Sequence, residues 1–384
     1  MSAPWERYLD RWTGGGLLDS ITAERIRAYE FEQEKRQGLR WPVLLAIGFG
    51  GLLLGAGVLL FVAAHWDTLA PAYRFALVLL LVAVFHVAGA LMSERFSVLS
   101  TTFHAVGTVC LGAGIFLAGQ IFNLQEHWPG GLMLWFLGAW FAWMLLRDWP
   151  QVALVAMLTP AWLGSEWLEA TRGWPGAEKI LAEGLLLLSI TYLTARLPGR
   201  ETSARKALTW LGGLTLIPFT VAVVESHLFG YGRQSTLPES YRSFGWIVAL
   251  LLPLALAWWL RRSATWMNLI AALWIVVLGT TSGQFEAGES LLRHAWRESG
   301  SYLMCALGSV GLIIWGLRET RKERINLGVA GFALTVLFFY FSSVMDKLGR
   351  SASLIGLGLL FLLGGWLLEK TRRRLMAHLE SQRS

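Results

Sequence analysis

Twelve stretches of roughly 16 to 23 mostly apolar residues fill this chain, with short polar connections between them. About 20 residues of helix cross the hydrocarbon core of a bilayer, because each residue advances the helix by about 1.5 Å. The backbone finds no water in lipid, so each spanning segment must satisfy its own hydrogen bonds as a helix. The stretches are continuously apolar and do not alternate, which excludes a membrane β-barrel. We therefore predict an all-α fold, a polytopic bundle of about twelve transmembrane helices.

The predicted spans leave little of the chain outside the membrane. Only 15% of the residues are charged, against about 25% in soluble chains. The predicted spans are residues 42–64, 72–92, 101–122, 130–146, 151–169, 180–195, 207–224, 243–260, 264–282, 300–317, 325–344 and 352–368.

Lysine and arginine fall mainly on alternate connections. With the N-terminus placed in the cytoplasm, the cytoplasmic segments hold 24 of the 33 basic residues and the opposite side holds nine. This is the positive-inside bias of membrane proteins, and it predicts that both termini are cytoplasmic in a multi-pass protein of the cell (inner) membrane. The same bias accounts for the net charge of +7. We therefore expect the lipid bilayer as a partner and no nucleic acid.

The first 40 residues form the one long polar segment before the predicted bundle. Gly14 to Gly16 interrupt it, and Asp19 or Ser20 is placed to cap a second, highly charged helix that runs to about Arg36. The first helix shows one apolar stripe at the spacing i, i+3, i+4, i+7, made of Trp5, Tyr8, Leu9 and Trp12. We predict a helical hairpin that packs on itself, on the bundle or on the membrane surface, and its alternative role is to dock a protein partner.

Polar residues gather at the predicted outer ends of the first and third spans. Both ends face the same side of the membrane, so these residues are candidates for an outward polar vestibule; they are His65, Asp67, Gln120, Asn123, Glu126 and His127. The alternative is that they cap helices and bond to loops. Several of these side chains can bind metals, yet no dense ligand spacing such as HExxH is present. We expect no metal and no cofactor.

Two histidines form a second candidate site. His86 in the second span and His104 in the third lie within about two turns of the same membrane border. Antiparallel packing of these spans could bring them close, which makes them a candidate buried pair, but the sequence does not tell whether the two rings meet. One interpretation is a proton-sensitive pair; the other is two neutral rings bonded to the backbone or to each other.

Other intramembrane carboxylates have simpler interpretations. Glu183 follows Lys179 by four residues, which favours an ion pair near the membrane border. Glu166 and Glu169 close the fifth span and are expected to form an acidic rim. Tryptophans at predicted span ends, such as Trp128 and Trp210, indicate an aromatic belt at the headgroups.

Residues 10 to 155 contain motifs that resemble a known family. The order is "GGLLDSITAERIRAYE", then "AIGFGGLLLGAGVLLFVAAHWDTL", then "GAGIFLAGQIFNLQEHWPGGLMLWFLGAWF". "AAHWD" and "GQIFNL" followed by "LMLW" are the most specific parts. This segment resembles the bacterial predicted membrane proteins grouped as domain of unknown function 2157. The resemblance implies a bacterial multi-pass membrane protein and brings no catalytic residues with it.

The chain thus divides into four predicted regions. Residues 1–41 are a cytoplasmic helical segment, and residues 42–155 are the family-like membrane region with spans one to four. Residues 156–369 hold the further spans, and residues 370–384 form a basic cytoplasmic tail.

Three classes of function are compatible with these features. The sequence has no Walker loop, no GxSxG elbow and no paired intramembrane aspartates, which counts against an ATPase, a serine hydrolase and an aspartyl protease. We expect a non-catalytic envelope component for assembly, scaffolding or sensing. The first alternative is a transporter or lipid-handling permease with the outward vestibule, and the second is an intramembrane enzyme acting on a lipid-linked substrate.

The predicted topology is directly testable. Reporters fused to the two termini are expected to give cytoplasmic signals at both ends, because twelve crossings return the chain to the side on which it began. Signals from opposite compartments would contradict the even number of spans.

Overall fold

The computed structural model describes residues 6–36, 70–94, 96–121, 127–197, 202–224, 237–281 and 291–344, together with single helical positions within 46–60 and 358–366. These residues are almost entirely helical and contain no β-strand. The fold is therefore all-α, as the continuous apolar stretches predict. Most of the first and twelfth predicted spans lies outside the described residues.

The helices are numbered along the chain. Two short helices, α1 and α2, come first, and longer apolar helices follow. Their bounds are α1 Glu6–Gly14, α2 Ser20–Arg36, α3 Pro71–Met92, α4 Ser97–Ile121, α5 Pro129–Leu146, α6 Trp149–Ala170, α7 Ala177–Leu193, α8 Ser203–Val224, α9 Glu239–Arg261, α10 Trp266–Gly279, α11 Leu291–Arg318 and α12 Lys322–Phe339. A 3₁₀ turn at Arg262–Thr265 joins α9 to α10.

Seven described segments are long and apolar enough to cross a membrane. They are Ala72–Met92, Ser97–Gln120, Pro129–Leu146, Ser203–Val224, Glu239–Arg261, Ser299–Arg318 and Lys322–Ser342. Each coincides with a predicted span to within a few residues. Helix α10 is apolar but shorter, with 14 residues. The chain is thus a membrane protein with several apolar helices.

The chain divides into two compact units, Met1–Gly114 and Ile115–Ser384. The first unit contains the two predicted helices of the N-terminal hairpin. Helix α1 ends at a glycine turn where Gly16 has φ +69° and the Leu17 amide bonds to the Trp12 carbonyl at 2.9 Å. Helix α2 begins at Ser20, and the carboxylate of the preceding Asp19 caps it by accepting a bond from the Thr22 amide at 3.2 Å. Leu9 and Ala23 are buried in the hairpin.

The apolar part of the first unit is built by α3 and α4. Phe85 of α3 packs with Val106 and Cys110 of α4 in a small buried cluster. Gly114 faces the side chain of Val78, where a Cβ atom would overlap it. The two antiparallel helices therefore approach closely through small residues, as membrane helices commonly do.

Helix α7 is the centre of the second unit. It contacts α6, α8, α9 and α10, and 11 of its 17 residues are buried. The buried core includes Leu186, Leu187 and Ile190 of α7, and Ile275 and Leu278 of α10. A helix that is apolar on all sides is expected to be surrounded by other helices.

Glycines set the distance between α7 and its neighbours. A Cβ atom on Gly212 of α8 would overlap the backbone of Ser189 and Leu193, so the two helix backbones are in direct contact. Beside it, the Ser189 and Thr215 hydroxyls bond to each other at 2.8 Å. Gly184 of α7 makes the same kind of approach to Ala249 of α9. Dispersion and hydrogen bonds at such close contacts hold membrane helices together where lipid is as apolar as the side chains.

Prolines occur inside three helices without ending them. Pro160, Pro218 and Pro253 lie within α6, α8 and α9. Neighbouring helices can satisfy the backbone groups that a proline disturbs. Beside one of these prolines, the Thr191 hydroxyl of α7 faces the carbonyl of Pro253 at 3.4 Å.

Candidate functional site

A cluster of buried charges is centred on Glu319, in the turn between α11 and α12. One carboxylate oxygen of Glu319 accepts a bond from Arg261 of α9 at 2.5 Å. The other accepts one from Arg324 of α12 at 2.5 Å. The Arg261 and Arg324 residues are 2% and 1% exposed. Two guanidinium groups therefore share one carboxylate in the interior of the unit.

The two arginines also bond to the ends of other helices. Arg261 donates to the Thr194 carbonyl at 2.5 Å, and Arg324 donates to the Arg196 carbonyl at 3.1 Å, both just beyond α7. Arg205 of α8 donates to the carbonyls of Ala195 and Leu260 at 2.5 and 3.0 Å. These bonds occupy carbonyls that a helix end leaves without an intrahelical partner. The cluster thus joins the ends of α7, α8, α9, α11 and α12.

Trp315 covers the cluster from α11. Its ring lies 5.2 Å from the Arg261 guanidinium carbon and 5.5 Å from that of Arg324. Its indole nitrogen donates to Glu319 at 2.7 Å. The indole therefore provides a fixed hydrogen bond and a π face to both cations, which stabilises charges that have lost their water.

Opposing influences act on the Glu319 carboxyl. Burial favours its neutral form, but the hydrogen bonds and positive charges of Arg261 and Arg324 outweigh burial and lower its pKa. The carboxylate is therefore ionised at neutral pH. A second pair, Arg196 and Glu323, lies at the edge with N and O 2.5 Å apart, and Glu323 is 41% exposed there. Solvent weakens that outer pair relative to the buried one.

The sequence pattern does not identify this cluster as a site. In that pattern Arg261, Arg196 and Arg324 are loop charges that mark one side of the membrane. The number of basic residues in the loops gives the orientation bias, but it does not show which arginine side chains are buried between helices. One local feature of the sequence points to the cluster. The carboxylate of Glu319, a hydrogen-bond acceptor, lies between the indole donor of Trp315 and the cation of Arg324 along the chain.

A second polar cluster joins α5 and α6. His127, just before α5, lies 2.5 Å from Glu166 through its Nε2 atom, and Trp162 donates to the same carboxylate at 3.0 Å. One turn on, Glu169 accepts from the Trp128 indole at 3.1 Å and pairs with Arg172 at 2.9 Å. The two glutamates thus tie the start of α5 to the end of α6. His127 is 55% exposed, so solvent reaches this cluster.

The other vestibule candidates are only partly described. Gln120 is exposed near the end of α4. His65, Asp67, Asn123 and Glu126 lie outside the described residues. Among the described residues, no three His, Cys, Asp or Glu side chains gather as a metal site would require.

The structure brings His86 and His104 together inside the first unit. Their Nδ1 atoms are 3.0 Å apart and their ring centroids 5.3 Å apart. Each ring lies over a glycine of the opposite helix, His104 over Gly89 and His86 over Gly107. A Cβ atom at either glycine would come within about 3 Å of the ring. One Nδ1 must carry a hydrogen for the two to bond, so at least one ring is the Nδ1–H tautomer or protonated.

Glu183 is a buried carboxyl that lacks a hydrogen bond. It is 1% exposed in α7, and neither oxygen has a hydrogen-bond partner. Its side chain fills the space over Gly279 of α10. The predicted neighbour Lys179 lies one turn away and donates to the Gly279 carbonyl at 2.6 Å.

Residues 10–152 match the family model described as predicted membrane protein (DUF2157). This confirms the resemblance seen in the sequence motifs. The match extends from α1 to the start of α6 and so includes His86, His104 and His127, whereas Glu319 and its arginines lie beyond it. No curated protein and no solved structure matches the chain.

The cluster around Glu319 makes a specific prediction for stability. Glu319→Gln keeps the shape of the side chain but leaves two buried guanidinium groups without a counter-charge, which typically costs about 3 to 5 kcal/mol. We expect a clearly lower melting temperature in detergent. The matched variant Glu323→Gln, at the exposed outer pair, should cost at most about 1 kcal/mol.

Acid should remove the difference between the wild type and Glu319→Gln. Because folding lowers the Glu319 pKa, its contribution is complete above the ordinary glutamate pKa and is lost as pH falls through the lowered value. Melting curves of both proteins at several pH values measure this. Equal melting temperatures at neutral pH would contradict the role given to Glu319.

Proposed function

We propose that this protein is a non-catalytic component of the bacterial inner membrane that presents its N-terminal helical hairpin to a protein partner. The polytopic bundle is the anchor, and α1 and α2 are the docking element. The chain crosses the membrane twelve times in this proposal, with the hairpin in the cytoplasm as the excess of basic residues on that side favours.

The observation that carries the proposal is the exposed apolar surface of the hairpin. Leu17, Ile21 and Tyr29 are 76%, 71% and 62% exposed. They belong to a segment that has its own glycine turn and its own aspartate cap, so the hairpin has a defined shape. A contiguous exposed apolar patch marks a surface that can bind another protein, and in this proposal Leu17, Ile21 and Tyr29 contribute to such a patch.

The charge cluster at Glu319 supports the anchoring role. It fixes the ends of five helices to one another through buried charge-assisted bonds. Such a constraint favours a single arrangement of helices. The packing of His86 against His104 fits the same role, because each ring fills the space over a glycine of the other helix.

A second candidate function is a proton-coupled permease. Glu183 favours it, since a carboxyl buried in a bundle without a hydrogen bond is typical of groups that carry protons in transporters. In that case the candidate vestibule, His65, Asp67, Gln120, Asn123, Glu126 and His127, would form the outer entrance.

The docking role is tested by partner retention. The full-length protein, purified from its native membrane in mild detergent, is expected to retain a protein partner. Deleting residues 1–38, or replacing Ile21 and Tyr29 by serine, should remove that partner because the apolar contact is lost. The control Gly14→Ala changes an exposed position with open space around it and should have no effect. A wild-type protein that purifies as a lone monomer would contradict the proposal.

The permease alternative is tested by proton flux. Vesicles containing the purified protein and an internal pH-sensitive dye would receive a potassium–valinomycin potential. A permease should acidify the interior, and Glu183→Gln should abolish the signal, whereas Glu169→Gln at the exposed rim should retain it. Absence of flux above that of empty vesicles would remove the support that Glu183 gives to this function.

A further inference from the structure

The exposed face of α2, on the side away from α1, carries side chains that match those of a second, identical helix running in the opposite direction. Ala23 is buried and Ile26 half-buried toward α1. The opposite side of the helix is a shallow groove lined by Ser20, Ile21, Glu24, Arg25 and Ala28. All five are exposed, and at 100° per residue they lie on one face. This set of five residues is here called the α2 face.

The charges of the α2 face are adjacent and opposite in sign. Glu24 and Arg25 lie at its centre, with Ile21 before them and Ala28 after them. In an antiparallel pair of identical helices with the two-fold axis between positions 24 and 25, residue 24 of one helix meets residue 25 of the other. In the same register, residue 21 meets residue 28. The face is therefore complementary to itself in charge and in apolar contact, as a two-fold contact requires.

We propose that the partner of the hairpin is a second copy of this chain, bound through an antiparallel contact of two α2 faces. Glu24 then pairs with Arg25 of the partner subunit, and the reciprocal pair forms across the axis. Ile21 covers Ala28 of the partner subunit. This inference depends on the proposed docking function and specifies its partner.

The geometry suits two proteins in one membrane. Copies inserted with the same orientation are related by a two-fold axis along the membrane normal. An antiparallel helix pair with such an axis lies parallel to the bilayer. Helix α2 ends at Arg36, six residues before the first predicted span, so the pair is held close to the membrane surface.

The charges give the contact its specificity more than its strength. Glu24 is 79% exposed and lies 3.6 Å from Arg27 of its own helix. On dimerisation it would exchange this exposed partner for Arg25 of the partner subunit. Exposed ion pairs contribute little each, whereas like charges placed opposite each other oppose association. Confinement in the bilayer raises the effective concentration of the two hairpins and compensates for a small contact.

Charge exchange tests the register. In the full-length protein, Glu24→Arg places two arginines opposite each other in each pair across the axis, and Arg25→Glu places two glutamates together. Each single variant should associate at least tenfold more weakly than wild type. The double variant E24R/R25E restores opposite charges and should associate as wild type does. Mass by light scattering in detergent and capture of a second, differently tagged copy are the measurements.

Mixing the two single variants is the decisive comparison. One copy then carries two arginines and the other two glutamates, so the mixed pair is complementary while each variant with itself is not. We expect capture between the variants to exceed capture within either one. The spectroscopic helix content of each variant checks that the hairpin is folded.

The outcomes separate this inference from the docking proposal. A wild-type dimer that is unaffected by the charge variants would overturn the α2 register. A partner of different sequence, lost with Ile21→Ser but indifferent to the mixture, would overturn self-pairing and leave the docking function standing. A wild type that is a lone monomer would overturn both.

Discussion

The packing of the second unit depends on a single carboxylate between two buried guanidinium groups. Arg261 and Arg324 come from helices that are more than 60 residues apart in sequence, and Glu319 holds both. Removing two cations from water is costly unless their hydrogen bonds are satisfied. Here further donors of the two arginines reach carbonyls at Thr194 and Arg196, just beyond α7, while the buried Arg261 Nε has no partner. The same bonds therefore offset part of the positive charge and bind the end of the helix.

This charge cluster joins the helices at one end of the second unit. Small residues let the same helices pack closely along their length. Helix α7 ends at the charge cluster, its last turn is in close contact with Gly212 of α8, and Gly184 in its middle approaches Ala249 of α9. At its other end, Lys179 bonds to the last residue of α10. Central α7 is thus fixed at both ends and packed between them. Apolar side chains such as Leu214 and Leu251 remain exposed on the outer helices, where lipid is the expected neighbour.

The polar groups differ in how far the sequence could identify them. His86 and His104 are a candidate pair in the sequence, because two adjacent antiparallel spans place them at similar depth; the structure puts their nitrogens 3.0 Å apart. The cap at Asp19 could be predicted because a helix cap involves only residues that are close together in sequence. Glu166 was predicted as part of an acidic rim, but its contact with His127 joins residues 39 positions apart and has no signature in either segment. Distance along the chain, more than residue type, limited these predictions.

The sequence by itself determined the class of the protein, its helical segments and its bias of basic residues, because hydropathy and charge act on each segment separately. Tertiary structure alone decided which arginines are buried against Glu319 and which stay at the surface. It also decided that Glu183 would be buried over Gly279 without a hydrogen bond. Both outcomes depend on which helix faces which, and that choice follows from packing between distant segments, which no single stretch of sequence contains.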